Sequence, residues 1–342
     1  MVLNIIYYLL RNVDKNMKIS IIIPVPKYDG KQFTSLFNVC RKYFSDILEV
    51  IIAEGDSPSS QRNEAVKKAT GDVLYFLDDD CVITEQHIIH LLELYKDLSI
   101  DAVGGPITTP ENASFNEKLF NEIIKTLIGG YFIRYRYNVI GNIKPANERM
   151  LILANFSMRK KIFEEIGGFN NSLYPNEENE LIVRLQKKGY KIFYDPKLAV
   201  QRPIRKSIPG FLWMCARNGR GRADCFFVNA KTFSFVYLLP LCFLLYIISL
   251  FWVRSVWCYM PLFIYFCLGI VCGFLIMLKI KSLKAGLVSF AIFPLMVLTY
   301  GAGIVWGVFK YILEKKAILK RSLSPADVKI YKICDSCGAG CN

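Results

Sequence analysis

The chain lacks several features that would each point to a class of function. Its formal net charge is +14, yet it has no long run of lysine or arginine and no interleaving of basic with aromatic residues. A nucleic-acid groove of that kind is therefore excluded, and the excess Lys and Arg read as attraction to anionic lipid on the cytoplasmic face of a membrane. No disulfide framework is present. The eleven cysteines are scattered, and Cys242, Cys258, Cys267 and Cys272 sit in an apolar stretch. They read as small buried apolar residues in a reducing compartment. The start of the sequence does not read as a secretory signal or a membrane span either. Leu3–Leu10 is apolar but short, with no basic flank before it and no small-residue cleavage site after it. Residues 1–16 read as an interfacial arm or as a start assigned too early.

Charge is also scarce regionally. Between Phe233 and Phe309 the only charged residues are Arg254, Lys279, Lys281 and Lys284. Segments 233–253, 256–278 and 286–309 are each long enough to cross a bilayer at ~1.5 Å per residue. Only Arg254 and Ser255 separate the first two, which predicts a tight hairpin. Positive charge between the second and third places that loop on the cytoplasmic side with the preceding domain. Three full spans would then leave Lys310, Lys315, Lys316, Lys320 and Arg321 outside. Either the third segment is re-entrant or broken near Pro294, or the charge rule fails here. The segments hold no carboxylate and no basic pathway, which argues against a transporter or channel.

From Met17 to about Lys197, short apolar runs alternate with helical patterns. Ile19–Ile23, Glu49–Ala53 and Asp72–Leu77 read as buried strands. Phe33–Phe44, Gln61–Ala69 and a segment from Thr84 or Glu85 to Tyr95 read as helices. Such alternation predicts an α/β domain with a mostly parallel sheet, whose ligands bind at the carboxyl ends of the strands. The stretch Gly129–Met150, aromatic and basic, reads as a loop lying against headgroups or packed over the site.

Four clusters carry chemistry. Asp78-Asp79-Asp80 follows a buried strand at the ligand edge. Adjacent carboxylates repel one another, and a hard divalent cation such as Mg²⁺ or Mn²⁺ removes that penalty and can bridge diphosphate oxygens. Asn176-Glu177-Glu178-Asn179-Glu180 opens a helix that stops at Gly189, with Asn176 as its N-cap. Its carboxylates either complement the helix dipole or supply a general base. Arg217-Asn218-Gly219-Arg220-Gly221-Arg222-Ala223 interleaves three arginines with two glycines, which suits a diphosphate or lipid-phosphate grip or a juxtamembrane anchor. Cys334, Cys337 and Cys341 form an incomplete ligand set in a short polar tail. His87 and His90 lie among apolar neighbours on a helix and read as structural.

These residues resemble the family 2 glycosyltransferases of GT-A fold, over about Met17–Ala223. Lys18–Pro24 is similar to the family's opening strand, and Glu49–Ser57 to its second strand and nucleotide loop. Gln61-Arg62-Asn63 with Ala69-Thr70-Gly71-Asp72 is similar to the helix and turn before the metal motif. Asp78 and Asp80 match the outer positions of the Asp-x-Asp motif. Val103-Gly104-Gly105-Pro106, Asn155-Phe156-Ser157-Met158-Arg159 and Ile166-Gly167-Gly168-Phe169 resemble later segments, and Glu177–Leu181 resembles the acidic motif that supplies the base.

The resemblance implies a Rossmann-like GT-A domain at 17–225, a helical transmembrane region at 226–312 and a basic, Cys-containing tail at 313–342. It implies nucleotide-sugar contacts from Pro24, Val25, Glu54, Arg62, Asp78, Asp79 and Gly105. It assigns the metal to Asp78 and Asp80 with a third contact from Gln201, where many members carry His. Glu178 takes the base position beside Glu177, and Asn155, Arg217, Arg220 and Arg222 take acceptor or phosphate contacts. The Gln-x-x-Arg-Trp motif of processive synthases is missing, which implies transfer of a single sugar. The expected enzyme is a metal-dependent, inverting transferase of a multi-pass inner-membrane setting, with its catalytic domain cytoplasmic. Its expected partners are a UDP- or GDP-sugar, a lipid-linked or membrane-associated acceptor and membrane lipids. The alternatives are a polyprenyl-phosphate glycosyltransferase and a non-catalytic sugar-nucleotide-binding subunit. The donor, the acceptor and the oligomeric state are not legible.

Overall fold

The computed structural model describes residues 17–30, 47–252, 255–321 and 327–333. The expected arm 1–16, the expected helix Phe33–Phe44 and the tail cysteines Cys334, Cys337 and Cys341 lie outside the described residues. In chain order the strands are β1 (Ile19–Val25), β2 (Leu48–Glu54), β3 (Val73–Leu77), β4 (Ala102–Gly104), β5 (Ile107–Thr108), β6 (Lys144–Pro145), β7 (Asn155–Arg159), β8 (Ile192–Tyr194), β9 (Val200–Gln201) and β10 (Lys329–Ile333). The helices used below are α1 (Pro58–Lys68), α2 (Glu85–Tyr95), α3 (Phe115–Lys125), α4 (Lys160–Glu165), α5 (Glu177–Lys187), α6 (Ile208–Val228), α7 (Leu239–Ser249), α8 (Met260–Ile280) and α9 (Leu283–Arg321).

The chain divides into two compact units. One takes Met1–Thr108, Asn138–Arg202 and Ser322–Asn342; the other takes Thr109–Tyr137 and Pro203–Arg321. The units are therefore not consecutive stretches of sequence, because 109–137 leaves the first and the tail strand β10 returns to it.

The first unit is built on one sheet of order β10-β2-β1-β3-β7-β4-β8-β6. β1, β2, β3, β4 and β8 share a direction; β6, β7 and β10 oppose it. The expected mostly parallel α/β sheet is thus present, with the antiparallel β7 inserted between β3 and β4. β1 and β3 are buried along their whole length, as expected for strands covered on both faces. Ile19, Ile21, Ile23, Val50, Ile52, Val73 and Tyr75 pack there with Ile88, Leu91 and Leu92 of α2.

Because β1, β2 and β3 are parallel, Val25, Glu54 and Leu77 all end at one edge. The ladder runs out there, and backbone carbonyls need other donors. The side-chain amide of Gln61, on α1, supplies them to Val25 (2.8 Å) and Ala53 (2.5 Å). Pro58 starts α1 in its first turn, where a missing N–H costs nothing.

The second unit is helical, and glycines set its spacing. A Cβ on Gly219 would lie 2.1 Å from the Tyr300 carbonyl, and one on Gly303 2.0 Å from the Ala216 carbonyl. α6 and α9 therefore touch backbone to backbone, as small residues allow. Gly273 and Gly286 bring α8 and α9 together in the same way. Phe120 of α3 stacks on Phe211 of α6 with ring centroids 4.5 Å apart, and Lys279 of α8 pairs with Glu122 of α3 at 2.6 Å.

Val256–Ile280 and Leu283–Leu313 are long and apolar enough to cross a membrane. The first of the three expected spans is not. Phe235–Leu238 is a 3₁₀ turn that leads into the 11-residue α7, and together they form only a shorter apolar helix, Phe235–Ser249, below the ~20 residues that a ~30 Å hydrocarbon core requires. Pro240 sits in the first turn of α7, where its missing N–H costs nothing. The third expected segment is not broken near Pro294, since α9 runs through it without interruption.

Candidate active site

Strand β3 delivers the three aspartates to the ligand edge. Asp78 accepts a hydrogen bond from Arg62 Nη2 at 2.9 Å through Oδ1, and from Arg202 Nη2 at 2.9 Å through Oδ2. Asp80 Oδ1 accepts from Arg202 Nε at 2.6 Å. One guanidinium thus spans the two outer carboxylates of the Asp-x-Asp sequence. Backbone pairing fixes its origin. Val82 and Gln201 exchange N–H···O bonds of 2.8 and 3.2 Å, and Arg202 N–H donates to Thr108 at 2.9 Å. Arg202 is consequently registered opposite Cys81, one residue beyond Asp80. Asp78 and Asp80 hold Arg202 in its charged form against the opposing effect of burial. Burial pushes the Asp79 carboxyl up, and Asp80 and Asp78 add to that rise.

Arg62 connects this loop to α5. Its Nη1 donates to Glu177 Oε1 at 2.9 Å, and both side chains are 4% exposed. Burial pushes the Glu177 carboxyl up, Arg62 opposes that shift, and Glu178 reinforces it. Glu178 is buried in the same turn and accepts from the Asn179 amide at 3.3 Å. Asn176 immediately precedes the helix but is not a side-chain cap of the expected kind. It adopts a left-handed backbone (φ 81°), and its side chain accepts from the Asn179 amide at 2.9 Å. Three carboxylates in the first turn of α5 face the positive end of the helix dipole.

At the other end of the edge, Glu54 closes β2. Its Oε2 accepts the Tyr28 backbone N–H at 2.9 Å, while Lys329 approaches Oε1 at 3.4 Å. The Tyr28 N–H and the nearby Lys329 hold the Glu54 carboxyl below the ordinary range.

The expected site residues thus fall into three groups. Arg62, Asp78, Asp79, Asp80, Glu177 and Glu178 form one connected cluster, with Gln201 exposed beside it and Glu54, Pro24 and Val25 farther along the same edge. Gly105 and Asn155 are internal. A Cβ on Gly105 would lie 2.4 Å from the Leu198 carbonyl. The Asn155 amide donates to the Pro106 and Leu198 carbonyls, and its oxygen accepts from the Tyr75 hydroxyl. Its polar groups are engaged in tying strands together, so it contributes rigidity where an acceptor contact was expected. Arg217, Arg220 and Arg222 lie in the other unit, on α6. Arg220 reaches Asp224 at 3.5 Å, and Arg222 lies 3.7 Å from the centre of the Tyr237 ring. The glycine beside them that was expected to admit a phosphate admits a neighbouring helix instead, as Gly219 shows. The two histidines are structural: His90 bonds Asp195 at 2.8 Å and His87 bonds the Ala199 carbonyl.

Arg202, Tyr28, Lys329 and Tyr331 were missed. Arg202 had a signal, since it directly follows the expected third metal contact. The tail residues had none.

Among the described residues no group of three or more His, Cys, Asp or Glu is arranged to hold a metal ion. The pair Asp78 and Asp80 nonetheless fits a divalent cation. Both present hard oxygens that already converge on a single positive group, the guanidinium of Arg202.

A parallel-edged α/β unit with an acidic pair after the third strand and a buried acidic helix turn beside it has the architecture of the GT-A fold. Residues 36–167, less than half of the chain, match the family model described as glycosyl transferase family 2. The chain is 38% identical over 194 residues to the succinoglycan biosynthesis protein ExoA of Rhizobium meliloti (strain 1021), covering 54% of this chain and 56% of that one. It is 22% identical over 170 residues to the O-antigen chain rhamnosyltransferase WbaN of Salmonella anatum, covering 48% and 51%. The matches thus span about half the length of each relative. The fold is shared with the mannosyltransferase PcManGT of Pyrobaculum calidifontis, solved with GDP-Man and Mn²⁺, at a TM-score of 0.51 and 11% identity over 90% of this chain and 94% of that one.

Proposed function

We propose that the protein is an inverting glycosyltransferase that moves one sugar from a UDP- or GDP-sugar to a membrane-associated, lipid-linked saccharide during surface polysaccharide or glycolipid synthesis. The observation that carries this reading is the cluster Asp78–Arg62–Glu177, with Asp80 joined to it through Arg202 and Glu178 in the adjoining helix turn. Asp78 and Asp80 would hold Mg²⁺ or Mn²⁺, whose charge offsets that of the departing nucleoside diphosphate. Gln201, exposed and registered beside that loop, is the further candidate contact.

The chain's own groups do the rest. Arg62 keeps Asp78 and the start of α5 in fixed relation. Glu178 accepts the proton of the acceptor hydroxyl as its oxygen attacks the anomeric carbon; the bond from that carbon to the diphosphate oxygen breaks on the opposite face. Glu54 and Tyr28 mark the nucleoside end of the groove. The helices Val256–Ile280 and Leu283–Leu313 would attach the enzyme to the inner membrane and raise the local concentration of a lipid-linked acceptor.

The test is release of UDP or GDP from a panel of nucleotide sugars. It uses membranes carrying the wild type or Asp80→Asn, with Mn²⁺ and then EDTA, and a lipid extract as acceptor. Metal-dependent release from one donor, lost in the variant, supports the proposal. Saturable nucleotide binding with no release from any donor would instead favour a binding subunit.

A further inference from the structure

We infer that the tail strand β10 forms a wall of the nucleotide-base site, with Tyr331 and Lys329 as positioning residues that set Tyr28 and Glu54 for the planar base of a nucleoside diphosphate. This rests on the nucleotide-sugar reading above and adds to it a part of the chain some 275 positions away from Glu54.

β10 pairs antiparallel with β2, placing Lys329 opposite Glu54 and Tyr331 opposite Ile52. Alternation puts Lys329 and Tyr331 on one face of the sheet and Lys332 on the other. The two faces have different partners. On one, the Tyr331 ring packs 4.9 Å from that of Tyr28 at a 50° tilt, and its hydroxyl stands 3.4 Å from Glu54 Oε2. That oxygen is the one that accepts the Tyr28 N–H, and Lys329 addresses the other oxygen. Both carboxylate oxygens and the neighbouring aromatic ring are thereby oriented from the tail. On the opposite face Lys332 pairs with the buried Glu49 at 2.6 Å and anchors the strand.

Blunting the exposed edge of β2 would require only a short charged strand. A tyrosine packed at a tilt against Tyr28 and directed at Glu54 goes beyond that need. A fixed aromatic pair offers a base an apolar face, and a fixed carboxylate accepts a base N–H; this is the chemistry of base recognition by stacking and edge contact.

The test uses the full chain in detergent or nanodiscs with Mn²⁺. GDP, UDP and inorganic pyrophosphate are titrated against wild type, Tyr331→Ala and Tyr331→Phe. The expected result is about tenfold weaker binding of the nucleoside diphosphate by Tyr331→Ala. Pyrophosphate affinity should be unchanged, and Tyr331→Phe should recover most of the loss. Equal nucleotide affinity in wild type and Tyr331→Ala overturns the inference. So does an equal loss of pyrophosphate binding, which marks a general effect on the domain. A wild type that binds neither nucleotide overturns the nucleotide-sugar reading as well.

Discussion

Removing Arg202 tests how the Asp-x-Asp pair meets a metal ion. In the structure its guanidinium holds Asp78 at 2.9 Å and Asp80 at 2.6 Å, with side chains 23%, 23% and 39% exposed respectively. A cation that takes both carboxylates must displace these two contacts. Each is charge-assisted but partly solvated, so about 1 kcal/mol apiece is a fair figure after screening. Their sum, about 2 kcal/mol, corresponds to roughly 30-fold in an equilibrium constant. Arg202→Ala should therefore bind Mn²⁺ about 30-fold more tightly than wild type in the absence of nucleotide. Arg202→Lys should fall between them, because an ammonium keeps the charge and loses the planar two-pronged contact. Titration of free Mn²⁺ by electron paramagnetic resonance reads this directly, without turnover. The melting temperature should change little, since Asp78 keeps Arg62 as a partner. Equal or weaker Mn²⁺ binding by Arg202→Ala in a folded protein would refute the idea that guanidinium and metal compete for the same oxygens.

Glu178→Gln should abolish sugar transfer to a hydroxyl acceptor while leaving nucleotide affinity within about twofold; a lipid-phosphate acceptor, already ionised, would keep most of its rate and so reveal itself. Glu177→Gln should act on folding, lowering stability by about 1.5–3 kcal/mol because the buried Arg62 loses one of its two charged partners and keeps Asp78, and a denaturant titration would show whether it does. Burial acts to raise the Glu49 carboxyl, but bonds from Lys332, Ser20 and Thr70 outweigh it and hold it at about 2. Its folded value is depressed, so its contribution to stability is complete above the ordinary value of 4.5 and is lost as pH falls toward about 2. Thermal melts of wild type and Glu49→Gln should therefore differ at pH 7 and converge near pH 2. Because β10 belongs to the same sheet as β1–β3, a cysteine at Lys329 should react with a membrane-impermeant reagent from the same side of the membrane as one at exposed Lys187; labelling from opposite sides would contradict the pairing.

Much of the first unit was legible because each signal was local. Ile19–Ile23, broken only by Ser20, and Val73–Leu77 are apolar runs, and in the structure both are buried along their length. The Asp triplet follows the second run directly, so its place at the ligand edge came with the strand. Glu177 and Glu178 were readable as a helix start for the same reason. Other features depend on distant partners. Nothing in Asn155-Phe156-Ser157 indicates that β7 lies between β3 and β4, or that the Asn155 amide is consumed by Pro106 and Leu198. The apolar composition of 233–253 hid how short the helical run is, because hydropathy does not register that it covers only Phe235–Ser249. The glycines of 219–221 were read against a phosphate, and chain order gave no hint that Tyr300, some eighty residues on, presents a carbonyl to Gly219.

Arg202 and β10 also share a physical logic. The ligand edge concentrates negative charge: Asp78, Asp79 and Asp80 at one end and Glu54 at the other, while Glu49 is buried at the opposite, amino-terminal end of β2. Left alone, such a surface would repel the diphosphate it is proposed to bind and would destabilise its own sheet. Each end is met by a cation from a later part of the chain, Arg202 after β9 and Lys329 and Lys332 on β10. The Arg62 guanidinium, buried between Asp78 and Glu177, adds a third internal counter-charge. These ion pairs are internal to the fold, and under the proposed function a metal-bound nucleotide would enter by exchanging partners already in place. Its affinity measures the difference between two sets of ion pairs, which is why removing an internal cation should strengthen metal binding at the aspartate end, while removing the tail's aromatic contact should weaken nucleotide binding at the other.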